Sequence, residues 1–312
     1  MSESCSQFKS AELDSDVDTT SSSSSFVTRF APSPTGLAHR GHAFSALTAF
    51  SAARAAGGRF LLRLEDIDSV RCRPAFAAAF LDDLAWLGLT WETPVRRQSE
   101  HLGDYRAALE RLRARGLVYR CFKTRKDILG DIGRAPHGSP TPPAGGPLSG
   151  AEEGALLAQG RPFAWRLSLD AAARALGGFD DLAFIEEGAG PDGERGRIAA
   201  RPGIAGDVIL ARKDLGVAYH LAVVVDDAGQ GVSHVIRGED LFAAAHIQRL
   251  LQALLDLPTP IYRHHALLMR PDGKRFAKRD AAETVRGLRD SGVSPAALRA
   301  QLGVADLPAE TD

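Results

Sequence analysis

From Phe26 onward, short apolar runs of strand length alternate with Ala-rich segments of helix length, and that order constrains the fold more than any other feature. "FVTRF" precedes "HAFSALTAFSAARAAGG", whose terminal Gly57-Gly58 suits a helix C-cap. "RFLLRL" then reads as a buried strand and "RPAFAAAFLDDLAWLG" as a helix with apolar residues at helical spacing. "SEHLGDYRAALERLRARG" reads as a helix capped by Ser99 and ending at Gly116. This β-α-β-α order predicts an α/β fold with a mainly parallel sheet and helices on both faces. In such folds ligands sit beyond the carboxyl ends of the strands.

The middle of the chain changes character. "GDIGRAPHGSPTPPAGGPLSG" holds too much Pro and Gly for regular structure and predicts a long exposed loop. Beyond it, Ser149 and Glu152 make a capping-box pair ahead of a helix, and "FAWRLSL" and "LAFIEE" read as strands of a small α+β module. The segments "DVILAR", "LAVVVDD" and "VSHVIR" are expected to resume the parallel pattern. An amphipathic helix in "EDLFAAAHIQRLLQALL", a strand in "IYRHHALLM", a turn in "RPDG" and the basic run "KRFAKR" follow. Two short helical segments close the chain, the second starting at Ser294-Pro295.

Composition excludes several classes. A 312-residue chain with 44% hydrophobic and 25% charged residues is expected to be soluble and to bury a sizeable core. A net charge of -1 rules out an overall basic field, although a local basic face is compatible with it. Cys5, Cys72 and Cys121 are odd in number and far apart, which argues for a reducing compartment, the cytoplasm, over a disulfide framework. Residues 1–25, with the run "TTSSSSS", read as a disordered Ser-rich tail and not as a signal peptide. No apolar run approaches the roughly 20 residues of a membrane span.

The stretch "RFAPSPTGLAHRGH" carries the chemistry. Prolines flanking Ser33, then Gly36 and Gly41, predict a stiff turn that brings backbone N–H groups and a helix N-terminus to one phosphate-sized place. Imidazoles at His39 and His42 can donate to phosphate oxygens whose charge grows in a transition state. Far downstream, "GKRFAKRD" sets Lys274, Arg275, Lys278 and Arg279 on one loop. Singly, these elements are compatible with a plain helix start and a solvated basic surface.

Together they resemble the two signatures of class I aminoacyl-tRNA synthetases: "HRGH" stands where that family has HIGH, and "RFAKR" where it has KMSKS. "RFAPSPTG", "LRLEDID", "AYHLAVVVDD" and "VIRGEDL" are similar to the glutamyl branch, and the similarity runs from about Val27 to about Asp280. The resemblance implies a Rossmann-like doubly wound parallel-sheet catalytic domain with a small α+β insertion and a short helical C-terminal region. The expected layout is catalytic residues 26–116, an insertion at 117–200, the second catalytic half at 201–262, and the KMSKS-like loop with C-terminal helices at 263–312.

The resemblance further implies activation of L-glutamate by ATP with Mg²⁺. His39, His42 and Lys278 would be catalytic, and His39, Gly41, His42, Arg275 and Lys278 would hold ATP. Arg275 and Ala277 depart from the KMSKS lysine and serine. Recognition of glutamate falls to Arg29, Ala31, Ser33, Glu65, Tyr219 and Arg237. An arginine can grip a carboxylate bidentately, and a carboxylate can accept from the substrate ammonium.

The sequence runs only to Asp312 after Lys278, so no anticodon-reading domain, which needs about 50 residues or more, is expected. This layout resembles the truncated glutamyl-Q branch, which attaches glutamate to the queuosine base in the anticodon loop of tRNA(Asp). The expected partners are L-glutamate, ATP and the tRNA(Asp) anticodon stem-loop, met by a cytoplasmic monomer without a membrane. A truncated glutamyl enzyme charging another acceptor, and a free-standing nucleotidyltransferase, share the chemistry and stay open. A non-catalytic tRNA-binding paralogue sits poorly with intact His39, His42 and Lys278.

Many members of the family hold zinc in the insertion through a Cys-x-Cys pair, a tyrosine and a later cysteine. Here "YRCFKTRKDI" has Lys123 where the second cysteine belongs, and no cysteine follows Cys121. A structural site wants about four ligands, so zinc is not expected even if His101 or His137 were recruited. Cys121 is expected as a small buried hydrophobe, and Phe163, Trp165, Leu167 and Phe184 are expected to hold the insertion instead.

Overall fold

The opening alternation folds into parallel strands with helical crossovers. In the computed structural model, which describes residues 26–123, 146–212, 216–268 and 284–304, β1 (Val27–Phe30) pairs with β2 (Arg59–Leu64) in parallel. β2 in turn pairs with β3 (Arg96–Arg97). Helices α1 (Arg40–Ala55) and α2 (Pro74–Trp86) make the crossovers. Side chains along a strand point alternately to its two faces. Leu61 therefore joins Val27 in one core cluster, whereas Phe60 and Leu62 join Phe30 in another. Burial on both faces is why "RFLLRL" lacks a polar alternation.

A second ladder lies on the other side of β1. β9 (His234–Gly238) is parallel to β10 (Ile261–His265), which is parallel to β6 (Ala183–Glu186), and β7 (Gly196–Ala199) pairs antiparallel with β6 at the edge. β1 and β9 meet where the Ser233 N–H donates to the Val27 carbonyl at 2.9 Å and the Val27 N–H donates to Ser233 Oγ at 2.8 Å. Among the described residues this pairing does not continue as a ladder, so two sheets abut between β1 and β9. Chain order reverses there, with β2 on one side and β9 on the other. That is the switch point at which doubly wound folds open a crevice.

The third sheet is antiparallel: β4 (Val118–Cys121), β5 (Ala164–Leu167) and β8 (Ile209–Arg212). It corrects three expectations. "DVILAR" does form a strand, but β8 runs antiparallel to β5 in this small sheet. "LAFIEE" forms β6, which extends the large sheet, so Phe184 packs against Phe242, His246 and Tyr262 instead of supporting the insertion. "LAVVVDD" is helical, inside α6 (Tyr219–Gly229). Leu221, Ala222, Val223, Val224, Asp226 and Asp227 are all buried, and a helix covered on most sides shows no amphipathic period to betray it.

The helix caps agree with their sequence signatures, with one exception. Ser149 and Glu152 complete their capping box ahead of α4 (Gly150–Ala158), Ser168 caps α5 (Leu169–Leu176), Thr284 caps α8 (Val285–Asp290), and Ser294 caps α9 (Pro295–Gln301). Ser99 does not cap α3 (Leu102–Ala114), which starts after His101. Its N–H and hydroxyl both bind the Asp66 carboxylate at 2.9 Å, a stronger acceptor than a helix turn offers. Most of the Pro/Gly-rich loop and all of "KRFAKR" lie outside the described residues. Among the described residues no helix is long and apolar enough to cross a membrane.

A buried charge knot ties α6 to the first sheet. Asp226 accepts from Arg96 Nε and Gln98 Nε2 at 2.8 Å and from the Tyr105 hydroxyl at 2.9 Å, with Arg63 Nε at 3.5 Å. Asp227 accepts from Arg29 Nε at 3.0 Å and Arg63 NH1 at 2.8 Å. Removing one member of such a pair leaves a desolvated charge behind, so Asp226→Ala should lower stability by about 3–5 kcal/mol. Urea unfolding checks this; a loss below about 1 kcal/mol, the worth of a surface pair, would mean the knot does not hold the fold.

Candidate active site

The site forms where β1 and β9 end. Past Phe30, "APSP" leaves the sheet, and the Pro32 carbonyl accepts the Glu65 N–H at 3.0 Å, which docks the turn on the end of β2. A cavity of about 520 Å³ opens between this turn, the start of α1 and the end of β9. Its lining includes Arg29, Ala31, Ser33, His39, Gly41, His42, Glu65, Tyr219 and Arg237. The structure thus brings these nine candidates to one cavity. Arg275 and Lys278 lie outside the described residues.

The two histidines build the start of α1. His39 is the N-cap, and its Nδ1 accepts the N–H groups of Gly41 at 3.1 Å and His42 at 3.3 Å. His42 Nδ1 accepts the His39 N–H in return at 3.3 Å, so the pair forms a capping box from imidazoles. Backbone N–H groups can only donate, so in each neutral ring the hydrogen resides on Nε2. The rings stack with centroids 3.7 Å apart. Gly41 lies under the His39 ring: a Cβ there would stand 3.1 Å from His39 Nδ1 and Cε1.

A second set is organised by charge. Burial pushes the Glu65 carboxyl above the usual carboxylate range, while Arg63, 3.4 Å away, and Arg29 pull it back. Burial would also raise Asp227, but Arg29 and Arg63 hold it below that range. Tyr219 opens α6, where its hydroxyl accepts from Arg237 NH1 and Gln248 Nε2, each at 3.4 Å. Arg237 also donates from NH1 to Gln248 Oε1 at 2.9 Å and from NH2 to the Leu241 carbonyl at 3.1 Å. Gln248 lies on α7 (Phe242–Leu254). An anionic group entering here finds guanidinium donors, and an ammonium finds Glu65.

Sequence reading missed further members. Ser45, Asp240, His265, Leu267 and Leu268 line the same cavity, with Ser45 Oγ 2.9 Å from His265 Nε2. Asp240 lay in the quoted "VIRGEDL" and His265 in "IYRHHALLM", but neither segment shows which of its side chains faces a ligand. Arg63, Asp227, Gln248 and His264 stand behind the lining, where only tertiary contact reveals them.

The family model for the catalytic domain of class I tRNA synthetases (E and Q) matches residues 25–138 and 186–310. The chain belongs to this family. Among its relatives, a glutamyl-Q tRNA(Asp) synthetase from Rhodobacter capsulatus is 49% identical, over 89% of this chain and 100% of the relative. One from Symbiobacterium thermophilum is 40% identical, over 90% and 87% respectively. A glutamate–tRNA ligase 2 from Methylobacterium radiotolerans is 41% identical, and there the match covers 88% of this chain but 58% of the relative. The fold is that of a glutamate tRNA ligase from Elizabethkingia meningosepticum solved with its amino acid, at a TM-score of 0.72 and 24% identity, over 92% of this chain and 62% of that one.

Within this class I tRNA synthetase fold the histidine cap carries a structural load of its own. His39→Ala removes the side-chain acceptor from two N–H groups and should cost about 1 kcal/mol, whereas His39→Asn, a good N-cap, should recover most of it. Thermal unfolding of the two variants measures the difference, and equal stability would show that the cap contributes nothing.

Proposed function

We propose that the protein activates L-glutamate with Mg-ATP and transfers it to the queuosine base in the anticodon loop of tRNA(Asp). The observation that carries this reading is the single cavity lined by Arg29, Glu65, Tyr219 and Arg237 together with His39, Gly41 and His42. In the first step an α-carboxylate oxygen of glutamate attacks the α-phosphorus. The bond to the β-phosphate breaks, and pyrophosphate leaves. In the second step an oxygen of the queuosine group attacks the acyl carbon and AMP leaves. Neither step needs a protein nucleophile, so catalysis is positioning and stabilisation of charge on phosphate oxygens.

The roles follow from the donors present. His39 and His42, with Nε2 hydrogens fixed by their cap bonds, suit phosphate oxygens, and Lys278 with Arg275 would add cationic charge from the KMSKS-like loop. Gly41 lets the ligand approach the start of α1. Arg237 and Arg29 offer guanidinium donors to the substrate carboxylates, Glu65 accepts from its ammonium, and Tyr219, Ala31 and Ser33 shape the pocket. The relatives' names support tRNA(Asp) and queuosine, and the reading places the enzyme in the cytoplasm as a monomer on the anticodon stem-loop.

Activation in this scheme needs only glutamate and Mg-ATP, so ATP–pyrophosphate exchange should proceed without tRNA. Radiolabelled glutamate should then enter tRNA(Asp) carrying queuosine and not tRNA(Asp) lacking it. Label on a glutamate tRNA would support instead the activity named in the Methylobacterium relative. Glu65→Ala and Arg237→Ala should each cost roughly 2–5 kcal/mol in kcat/KM for glutamate, because a desolvated substrate charge loses its partner. Unchanged glutamate kinetics in either variant would remove that residue from the site.

The described residues do not fit a zinc site. Cys121 is a free, half-buried thiol on β4 opposite Ala164, and Lys123 follows where a thiolate would be needed. Among the described residues no three His, Cys, Asp or Glu side chains gather to hold a metal. His101 Nδ1 stands 3.6 Å from Asp104, and His137 lies outside the described residues. Packing can substitute for metal here: Phe163 lies between Phe122 at 5.6 Å and Trp165 at 5.5 Å, and the Arg113 and Arg120 guanidiniums cover Trp165 at 4.4 and 4.8 Å. Activity and thermal stability should survive chelation once Mg²⁺ is restored. About one zinc per chain by elemental analysis, the occupancy of a structural site, lost with activity on Cys121→Ala, would overturn this.

A further inference from the structure

Arg237 is held from behind by two residues that do not line the cavity. Its Nε donates to His264 Nε2 at 3.0 Å, and His264 Nδ1 lies 2.5 Å from Glu186 Oε2. Both the His264 and Glu186 side chains are fully buried. An arginine Nε–H can only donate and a carboxylate can only accept. The imidazole that satisfies both is neutral, with its hydrogen on Nδ1 and its lone pair on Nε2. Burial pushes His264 below the usual histidine range, which keeps the ring in that neutral form.

Glu186 is itself built in. Its Oε1 accepts the His264 N–H and the Gly188 N–H, each at 2.8 Å, so three N–H groups compensate the buried carboxylate. The turn after β6 admits this arrangement because residue 188 is glycine: a Cβ there would stand 2.0 Å from the His264 carbonyl and 2.9 Å from Glu186 Oε1. Main-chain pairing of β6 with β10 needs none of it, since the register contact joins Glu186 to Tyr262 through backbone.

The interposed ring has an electrostatic consequence. A carboxylate bonded directly to Arg237 would neutralise the guanidinium and compete with an anionic substrate. Through His264, Glu186 fixes Nε from a distance, and among the described residues Arg237 meets no carboxylate. We infer that Glu186 and His264 are positioning residues that hold Arg237 in the orientation that reads the substrate carboxylate, with Glu186 selecting the His264 tautomer. The inference rests on the reading of Arg237 as a glutamate-binding residue.

Glu186→Gln tests it with little change of shape. The amide oxygen can still accept the two backbone N–H groups, but its NH₂ donates to His264 Nδ1 and forces the ring hydrogen onto Nε2, facing the Arg237 N–H. In glutamate-dependent ATP–pyrophosphate exchange, KM for glutamate should rise about tenfold or more, the consequence of an opposed buried donor pair, with KM for ATP unchanged. In a His264→Ala background the same substitution should add nothing, because the ring that relays it is gone. A wild-type glutamate KM in Glu186→Gln, or an equal effect in the His264→Ala background, overturns the relay. Absence of exchange in the wild-type protein overturns instead the glutamate reading. Should the variants not fold, ¹⁵N NMR of the wild-type imidazoles decides: a hydrogen on Nδ1 of His264 at neutral pH supports the relay, and one on Nε2 overturns it.

Discussion

The buried pair Asp226-Asp227 is the interaction on which the rest of the structure depends. These two carboxylates of α6 meet guanidiniums from three consecutive strands: Arg29 of β1, Arg63 of β2 and Arg96 of β3. Burial opposes the charge of Arg63, yet Asp227, Glu65 and Asp226 together hold it protonated. A knot of this kind contributes register more than net stability, since desolvation consumes much of the Coulomb gain. What it fixes is the position of α6, and with it Tyr219 at the first helical residue, relative to Arg29 and Glu65. The face of the cavity lined by Arg29, Glu65 and Tyr219 is therefore set by charges behind it.

The other face is set by a helix start. His39 and His42 use one ring nitrogen each to satisfy N–H groups that any helix leaves orphaned, and the remaining nitrogen must then carry the hydrogen. Tautomer, ring stacking and helix initiation are thus settled by the same bonds. Spacing of the pair by two residues is what a reciprocal cap requires, and Gly41 keeps a side chain away from the His39 ring that caps its N–H. A histidine pair seen as a ligand motif in the sequence is equally a local folding device.

Legibility of the sequence follows from where its information is local. "RFLLRL", the cap at Ser149 and the cap at Ser294 depend on nearest neighbours, and the structure has them where the pattern puts them. Of the nine candidates that line the cavity, His39, His42 and Gly41 were readable from the turn and its imidazoles, whereas the recognition roles came from motif resemblance, which carries tertiary placement that spacing alone does not. "LAVVVDD" misled because β-branched residues on a helix covered on most sides look like a strand, and propensity yields to tertiary burial. "LAFIEE" was readable as a strand but not as part of the large sheet, since partner choice is a long-range property. Glu186, His264 and Gln248 were invisible for the same reason: their partner Arg237 is distant in sequence from Glu186 and His264, and nothing local marks a buried polar contact.

The two cavity arginines are not equivalent, and the difference bears on how a substrate with two carboxylates and one ammonium would lie. Arg29 gives its Nε to Asp227, an anion also shared with Arg63, so its charge is largely matched before any ligand arrives. Arg237 gives its Nε to a neutral imidazole and three of its four other hydrogens to an amide oxygen, a phenol and a carbonyl oxygen. An incoming carboxylate therefore gains more at Arg237, where it supplies the first anionic partner, than at Arg29, where it must share. Glu65, next to Arg63 and within the field of Arg29, draws the ammonium toward the Arg29 side. If the proposed roles hold, the glutamate side chain, which carries a carboxylate without an ammonium beside it, would be best matched to Arg237. In the proposed reading the amino acid end would fall near Glu65 and Arg29, which adjoin the turn leading to His39 and His42, where its α-carboxylate would have to meet the α-phosphorus.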